Sequence, residues 1–148
     1  MNNIPQDLNW VKVRAACSVA TVFSELFHGI QQDVQEANQL EQETFPGYPK
    51  VEKFFVKPNE LGNFFVVWEN GNPLTEVKFR RDKDRIVVSG YKFGTDITLT
   101  LDDMGRCKLR VNTEDEALEQ WQVRKRLLEA LFFGGVMPSV PQKLTDQP

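Results

Sequence analysis

The chain has 148 residues, of which 41% are hydrophobic and 26% charged, and this is the size and composition of one globular domain. Its 11 Phe and 3 Trp residues supply enough apolar bulk for a core that needs neither a metal nor a disulfide framework. The net charge of −3 argues against a dedicated nucleic-acid binder, because such proteins usually have a basic balance.

The first regular segment predicts an N-terminal helix. Apolar residues recur at steps of three and four from Trp10 to Val34, which is the spacing of one helical face. Further apolar residues, among them Val11 and Val22, predict that roughly the first five turns are buried on more than one side. After Gly29 the sequence becomes rich in Gln and acidic residues. We therefore expect either one long helix that projects past the core or a second helix after a break at Gly29.

A change of apolar period marks the start of a sheet. Residues 45–50 are rich in turn formers and end the helical region, after which apolar residues alternate with polar ones. The alternation, interrupted by turns such as the Asn-Gly pair at Asn70 and Gly71, predicts a six-stranded antiparallel meander. The charged residues Asp82, Lys83 and Asp84 are predicted to form another hairpin tip. The predicted strands contain residues 54–56, 63–69, 75–79, 85–91, 97–101 and 107–111.

A second helix is predicted after the last strand. Thr113 and Glu116 have the spacing of a capping box, which predicts that the helix begins there. Its apolar face is predicted to include Trp121 and Leu128, and Gly134 marks its end.

The order of these elements predicts an α+β fold. A long N-terminal helix, a six-stranded antiparallel meander and a C-terminal helix can bury their apolar faces together as a two-layer sandwich with both helices on one sheet face. We expect residues 1–135 to form this single domain. Residues 136–148 contain three prolines and little apolar mass, and they are predicted to be a flexible C-terminal tail.

Residues that could carry catalysis are few. His28 is the one histidine, and its place near the edge of the helical stripe indicates a structural or surface role. General acid–base catalysis needs carboxylates in a cleft, whereas the acidic pairs here fall at predicted turn tips, where Asp is common. We therefore expect no enzymatic activity, no metal and no cofactor. The acidic pairs are Asp82 with Asp84 and Asp102 with Asp103.

The two cysteines are predicted to belong to the core, and the apolar N-terminal stretch bears on localisation. Cys17 and Cys107 share no motif, so we expect both to be reduced core residues, with a disulfide between helix and sheet as the alternative. Lys12 and Arg14 precede an apolar run as in a signal peptide, but no hydrophobic region precedes the small residues that follow. The longest uncharged run is far shorter than a membrane span of about 20 residues. The sequence thus predicts a cytoplasmic protein without membrane association.

An aromatic strand pair indicates what the protein does. Both sides of the strands around residues 54–68 are apolar, so one side can face the core while the other needs a cover. That cover is the chain's own helix, a partner or a ligand, because exposed aromatic patches mark interfaces. We expect a non-enzymatic protein-interaction module, adaptor or chaperone-like, that binds a protein partner. The predicted partner-binding residues are Phe55, Phe64, Val66 and Trp68.

Other uses of the fold remain open at this point. The thin stripe of Ile30, Val34, Ala37 and Leu40 resembles a short heptad seam that could pair two subunits as a homodimer. Alternatively, the chain carries a small apolar ligand between helix and sheet.

A third alternative is nucleic-acid binding through a basic sheet face. Alternation along the strands places five basic residues on the polar side of the sheet, where they could contact phosphates. No aromatic platform accompanies them, so this alternative ranks below protein binding. The residues are Lys78, Arg80, Arg106, Lys108 and Arg110.

Overall fold

The computed structural model describes residues 7–44, 47, 52–112 and 116–134. In these residues the chain forms three helices and one six-stranded antiparallel sheet, as the α+β prediction requires. The predicted C-terminal tail, residues 136–148, lies outside the described residues.

The strands follow one another across the sheet in chain order. The helices are α1 (Trp10–Ala16), α2 (Val19–Thr44) and α3 (Gln120–Phe133). The strands are β1 (Phe54–Pro58), β2 (Phe64–Glu69), β3 (Asn72–Arg81), β4 (Ile86–Gly90), β5 (Phe93–Leu101) and β6 (Cys107–Val111). The sheet order is β1-β2-β3-β4-β5-β6, and every neighbouring pair is antiparallel, which confirms the predicted meander.

The core lies between one sheet face and helices α2 and α3. We call that face the inner face and the opposite one the outer face. Successive side chains of a strand point to opposite faces, so the alternation in the sequence becomes one apolar side and one mixed side. Both α2 and α3 contribute to the inner-face cluster, which confirms the two-layer arrangement. Its fully buried members include Val22, Leu26, Ile30, Phe65, Val67, Phe79, Ile86, Ile97, Leu109, Val123, Leu127 and Leu128.

The break in the N-terminal helix falls at Cys17 and Ser18, and α2 continues through Gly29. Ser18 Oγ accepts a hydrogen bond from the Thr21 N–H, which is how an N-cap starts a new helix. The expectation that the first turns are buried on several sides is wrong, because α1 has no buried residue and Trp10 is 63% exposed.

Gly29 lies where helices α2 and α3 pack against each other. The Arg124 side chain of α3 lies against it, so that a Cβ at position 29 would be 2.6 Å from Arg124 Nη1. From there Arg124 Nε donates to Asp33 Oδ2 at 2.7 Å. The absence of a side chain at position 29 therefore leaves room for the Arg124–Asp33 ion pair between α3 and α2.

Helix α3 begins later than the sequence predicts. The backbone of Leu118 pairs with that of Leu109, with N···O distances of 2.7 and 2.9 Å, and so occupies the open edge of β6. The capping box is formed by Glu119 and Gln122. The prediction that the helix starts at the Thr113 capping box is therefore wrong, since residues 116–119 are not helical; Thr113 itself lies outside the described residues.

The two cysteines form a disulfide. Cys17, at the junction of α1 and α2, is bonded to Cys107, the first residue of β6, with a Cα–Cα distance of 5.4 Å. The prediction of two reduced core cysteines is therefore wrong, and the alternative of a disulfide between helix and sheet is correct.

Candidate functional site

The four predicted partner-binding residues lie together on the outer face. Phe55 of β1 is directly opposite Trp68 of β2, and their rings stack with centroids 5.5 Å apart. Phe64 and Val66 point to the same side because they are four and two residues from Trp68 along β2. We call these four residues the outer-face patch.

The outer-face patch is accessible. Its four side chains are half-buried, in contrast to the fully buried Phe65 and Val67 that alternate with them. A depression of about 340 Å³ is lined by Phe64, Val66 and Trp68 together with Lys57, Pro58, Asn59 and Glu76. The buried apolar residues of α2 and α3 belong to the core cluster on the inner face, so neither of these helices packs on the patch.

Cations border the outer-face patch. Lys78 Nζ lies 4.0 Å from the centroid of the Phe64 ring, which is a close cation–π contact. Lys57 is opposite Val66 in the register of β1 and β2, and Lys78 is opposite Val66 on β3. The patch thus has an apolar centre between two lysines, with the Glu76 carboxylate at the depression.

The free edge of β1, next to the outer-face patch, is largely occupied. Hydrogen bonds from Asn70 to Lys53 and from Asn59 to Phe64 fix the pairing, so that the backbone groups of residues 54, 56 and 58 point away from β2. Asn38 of α2 accepts from the Phe54 N–H at 2.8 Å and donates to the Phe54 carbonyl at 3.0 Å. Position 58 is a proline without an N–H.

A partner strand could therefore form a full pair of backbone hydrogen bonds only at Val56 on this edge. Strand addition normally requires a run of unpaired groups, which an edge protected in this way does not offer. The β1 edge therefore offers little for strand addition, whereas the outer-face patch beside it is accessible.

The predicted basic face is divided into two parts. Lys78 and Arg80 lie on the outer side of β3, Lys108 and Arg110 lie on that of β6, and Arg106 lies in the turn before β6. Strands β4 and β5 separate the two parts by about 14 Å, three times the spacing of neighbouring strands.

Several charges of this face already have protein partners. Lys108 Nζ is 2.6 Å from Glu119 Oε2, and between the two parts Asp96 of β5 accepts from Arg85 at 2.9 Å. Lys78 lies over the Phe64 ring. Phosphate binding by this face stays a prediction. The distance between its two parts and the contacts of Lys78 and Lys108 do not favour it.

Most of the predicted dimer seam is used within the chain. Ile30 and Val34 are buried in the core, and Ala37 packs against it. Only Leu40 is exposed. The stripe is therefore the sheet-facing side of α2 for most of its length.

The titratable candidates have local structural contacts. His28 Nδ1 is 2.8 Å from the Ser24 carbonyl oxygen one turn earlier in α2. Asp102 accepts from the backbone N–H groups of Met104 and Arg106, and Asp82 from that of Lys83, as expected at turns. Among the residues that the structure describes, no three His, Cys, Asp or Glu side chains are grouped as a metal site.

Sequence reasoning missed a second exposed surface, on the helical layer. Trp121, predicted on the apolar face of α3, is 56% exposed. With Leu40 and Phe133 it borders a depression between α2 and α3. The spacing within α3 does not reveal this exposure, because Trp121 lies seven residues, about two helical turns, before the buried Leu128.

Comparison with known proteins gives no relative from which a function could be transferred: no family model, no curated protein and no solved structure matches the chain. Among the described helices, none is both long and apolar enough to cross a membrane.

Proposed function

We propose that this protein is a non-enzymatic interaction module, adaptor or chaperone-like, that binds an apolar segment of a partner protein through the outer-face patch. The observation that carries the proposal is the stacked pair of Phe55 and Trp68 on the sheet face opposite the core. An accessible aromatic cluster of this kind is typical of an interface. Aromatic residues also dominate the energetics of protein binding.

The surroundings of the outer-face patch define the partner's chemistry. One apolar side chain of the partner would fill the depression beside Phe64 and Trp68. Acidic residues flanking it would lie near Lys57 and Lys78, which border the patch. Because the β1 edge is protected at Phe54 and Pro58, the partner would lie across the face rather than extend the sheet.

A random peptide library selected on the full chain tests this proposal. The enriched peptides are expected to have an aromatic or aliphatic centre with acidic flanks. Trp68→Ser should weaken their binding by at least about 10-fold, as loss of a central aromatic contact does. Thr98→Ser, on the same face but on β5, is the matched control and should leave binding unchanged. Equal binding by both variants, or selection of no peptide, would contradict the proposal.

Two other functions stay open as predictions. The carrier alternative requires an apolar ligand between helix and sheet, and native mass spectrometry of the purified protein would detect it as a stoichiometric extra mass. The phosphate-binding alternative requires Arg80 and Arg110 to act together across β4 and β5. Reversal of both charges should then abolish a salt-dependent affinity for oligonucleotides.

We also infer that the protein matures in an oxidising compartment. The sequence of the N-terminal segment predicts a cytoplasmic location, and the Cys17–Cys107 disulfide weighs against it. Cytosolic proteins rarely keep structural disulfides, because their thiols are held reduced. Acid trapping of producing cells followed by maleimide labelling distinguishes the two locations. An unlabelled chain supports the oxidising compartment, and a doubly labelled chain supports the cytoplasm.

A further inference from the structure

A groove between α2 and α3 lies on the side of the helical layer that faces away from the sheet. We call it the helical groove. It encloses about 330 Å³, and Ala37, Leu128 and Phe132 contribute to its apolar lining. Leu40, Trp121 and Phe133 border it with exposed fractions of 44%, 56% and 75%. Three large, exposed apolar side chains around one depression form a surface that proteins usually bury in an interface.

The two helices that form the helical groove carry opposite charge. Helix α2 contains five acidic residues and neither Lys nor Arg, whereas α3 contains three basic residues and one acidic residue. At the groove, α2 contributes Asp33 and Glu36, and α3 contributes Arg124, Lys125 and Glu129. Within the chain, Arg124 pairs with Asp33 at 2.7 Å and Lys125 with Glu129 at 3.0 Å. The groove therefore has an acidic side and a mainly basic side.

The helices run in the same direction. Glu25 contacts Gln120, and further along both helices Asp33 contacts Arg124. A partner that covers the groove must therefore present an apolar ridge between a basic flank and an acidic flank.

We infer that the helical groove is the interface between two copies of this chain. A two-fold rotation about an axis parallel to the helices places α2 of each copy over α3 of the other. The acidic side of each groove then faces the basic side of the partner, and Trp121 of each copy is covered by the partner's α2. Such a self-complementary contact closes as a dimer.

This arrangement goes beyond the proposed function, since it does not depend on the outer-face patch. The dimer would have the order sheet, helices, helices, sheet, with an outer-face patch on each external surface. Two patches on one particle would allow bivalent binding, which raises the apparent affinity for a partner that has repeated segments.

Sedimentation velocity of the full chain over a range of micromolar concentrations tests the interface. The wild type is expected at twice its chain mass of 17.1 kDa. Trp121→Ser should weaken association by at least about 10-fold, because a large aromatic side chain at an interface centre contributes strongly. Leu61→Ser is the matched control, because Leu61 is 84% exposed and lies in the β1–β2 loop, away from the groove. Thermal unfolding of each variant verifies that it is folded.

Exchange of charge shows whether the contact is between chains. Glu36→Lys and Lys125→Glu should each weaken self-association, because each places like charges opposite one another. An equimolar mixture of the two variants should restore dimers. In the mixed dimer the introduced lysine of one copy faces the introduced glutamate of the other, while the native Glu36 and Lys125 still face each other on the second side. Pairing within one chain cannot produce this rescue.

A monomeric wild type would overturn the inference and leave the helical groove to a different protein. A dimer that persists in Trp121→Ser but dissociates in Trp68→Ser would also overturn it, and would assign self-association to the outer-face patch instead.

Discussion

Cys17 and Cys107 are 90 positions apart in the chain, and their disulfide fixes the junction of α1 and α2 to the first residue of β6. The bond encloses α2 and the first five strands. In contrast, α1 has no buried residue of its own to hold it against the domain. The disulfide is therefore a main attachment of the N-terminal segment as well as a constraint on the whole fold.

We predict that reduction lowers the free energy of unfolding by about 2–4 kcal/mol, because a cross-link across a long segment restricts the unfolded chain. Urea unfolding with and without dithiothreitol measures the difference. The double variant Cys17→Ser with Cys107→Ser is the control and should not respond to dithiothreitol. Coincident unfolding curves for the oxidised and reduced wild type would contradict the prediction.

Reduction is also predicted to release α1. Lys12 and Arg14 lie in this helix, so trypsin should cleave there faster once the disulfide is reduced. Mass spectrometry of the early fragments gives the rate at each site. Lys92, in the β4–β5 turn, is an internal control whose cleavage should be unaffected by reduction. Equal rates in α1 before and after reduction would show that other contacts hold the helix.

The sheet could be predicted from the sequence because its signals are local. Alternation assigns Phe65 and Val67 to one face and Phe64 and Val66 to the other, and the Asn-Gly turn joins neighbouring strands. Once the hairpins are known, the alternation of side chains along each strand is enough to assign the residues of the outer-face patch.

The features that the sequence did not reveal depend on contacts between distant segments. Nothing near Cys17 indicates that β6 will start beside it. Leu118 pairs with Leu109 at the edge of β6, so that α3 begins later than the spacing of Thr113 and Glu116 suggests. The exposure of Trp121 depends on which residues of α3 pack against α2 and the sheet. No pattern within α3 indicates that an apolar residue at this position would face solvent.

Asn38 is predicted to stabilise the edge of the sheet. Its buried amide bonds the N–H groups of Lys53 and Phe54 and the carbonyl of Phe54. Asn38→Ala would leave these groups without that partner at a site where water has little access. We expect a loss of about 2–3 kcal/mol in the free energy of unfolding, the usual cost of unsatisfied buried polar groups.

Urea unfolding of this variant is compared with Gln39→Ala. Gln39 is the next residue of α2 and is exposed, so its replacement should change stability by no more than about 0.5 kcal/mol. If the two variants were equally stable, the amide of Asn38 would not be needed at the β1 edge.

Substitutions of the neighbouring residues Phe64 and Phe65 of β2 are predicted to differ in their effects on stability and on binding. Phe65 is 1% exposed and stacks on Phe79 within the core, so Phe65→Ala should cost about 3–5 kcal/mol. Phe64 is half-buried on the outer face, and Phe64→Ala should cost about 1 kcal/mol, mainly through loss of the Lys78 contact.

Peptide binding should show the opposite order for these variants. Phe64→Ala removes part of the outer-face patch from an intact fold. If the proposed function is correct, it should weaken binding of the selected peptides at a temperature where both variants remain folded. Phe65→Ala changes the core beneath the patch and should affect binding less once the fraction of folded protein is taken into account. If each variant lost binding only in proportion to its loss of stability, the outer face would support the fold without recognising a partner.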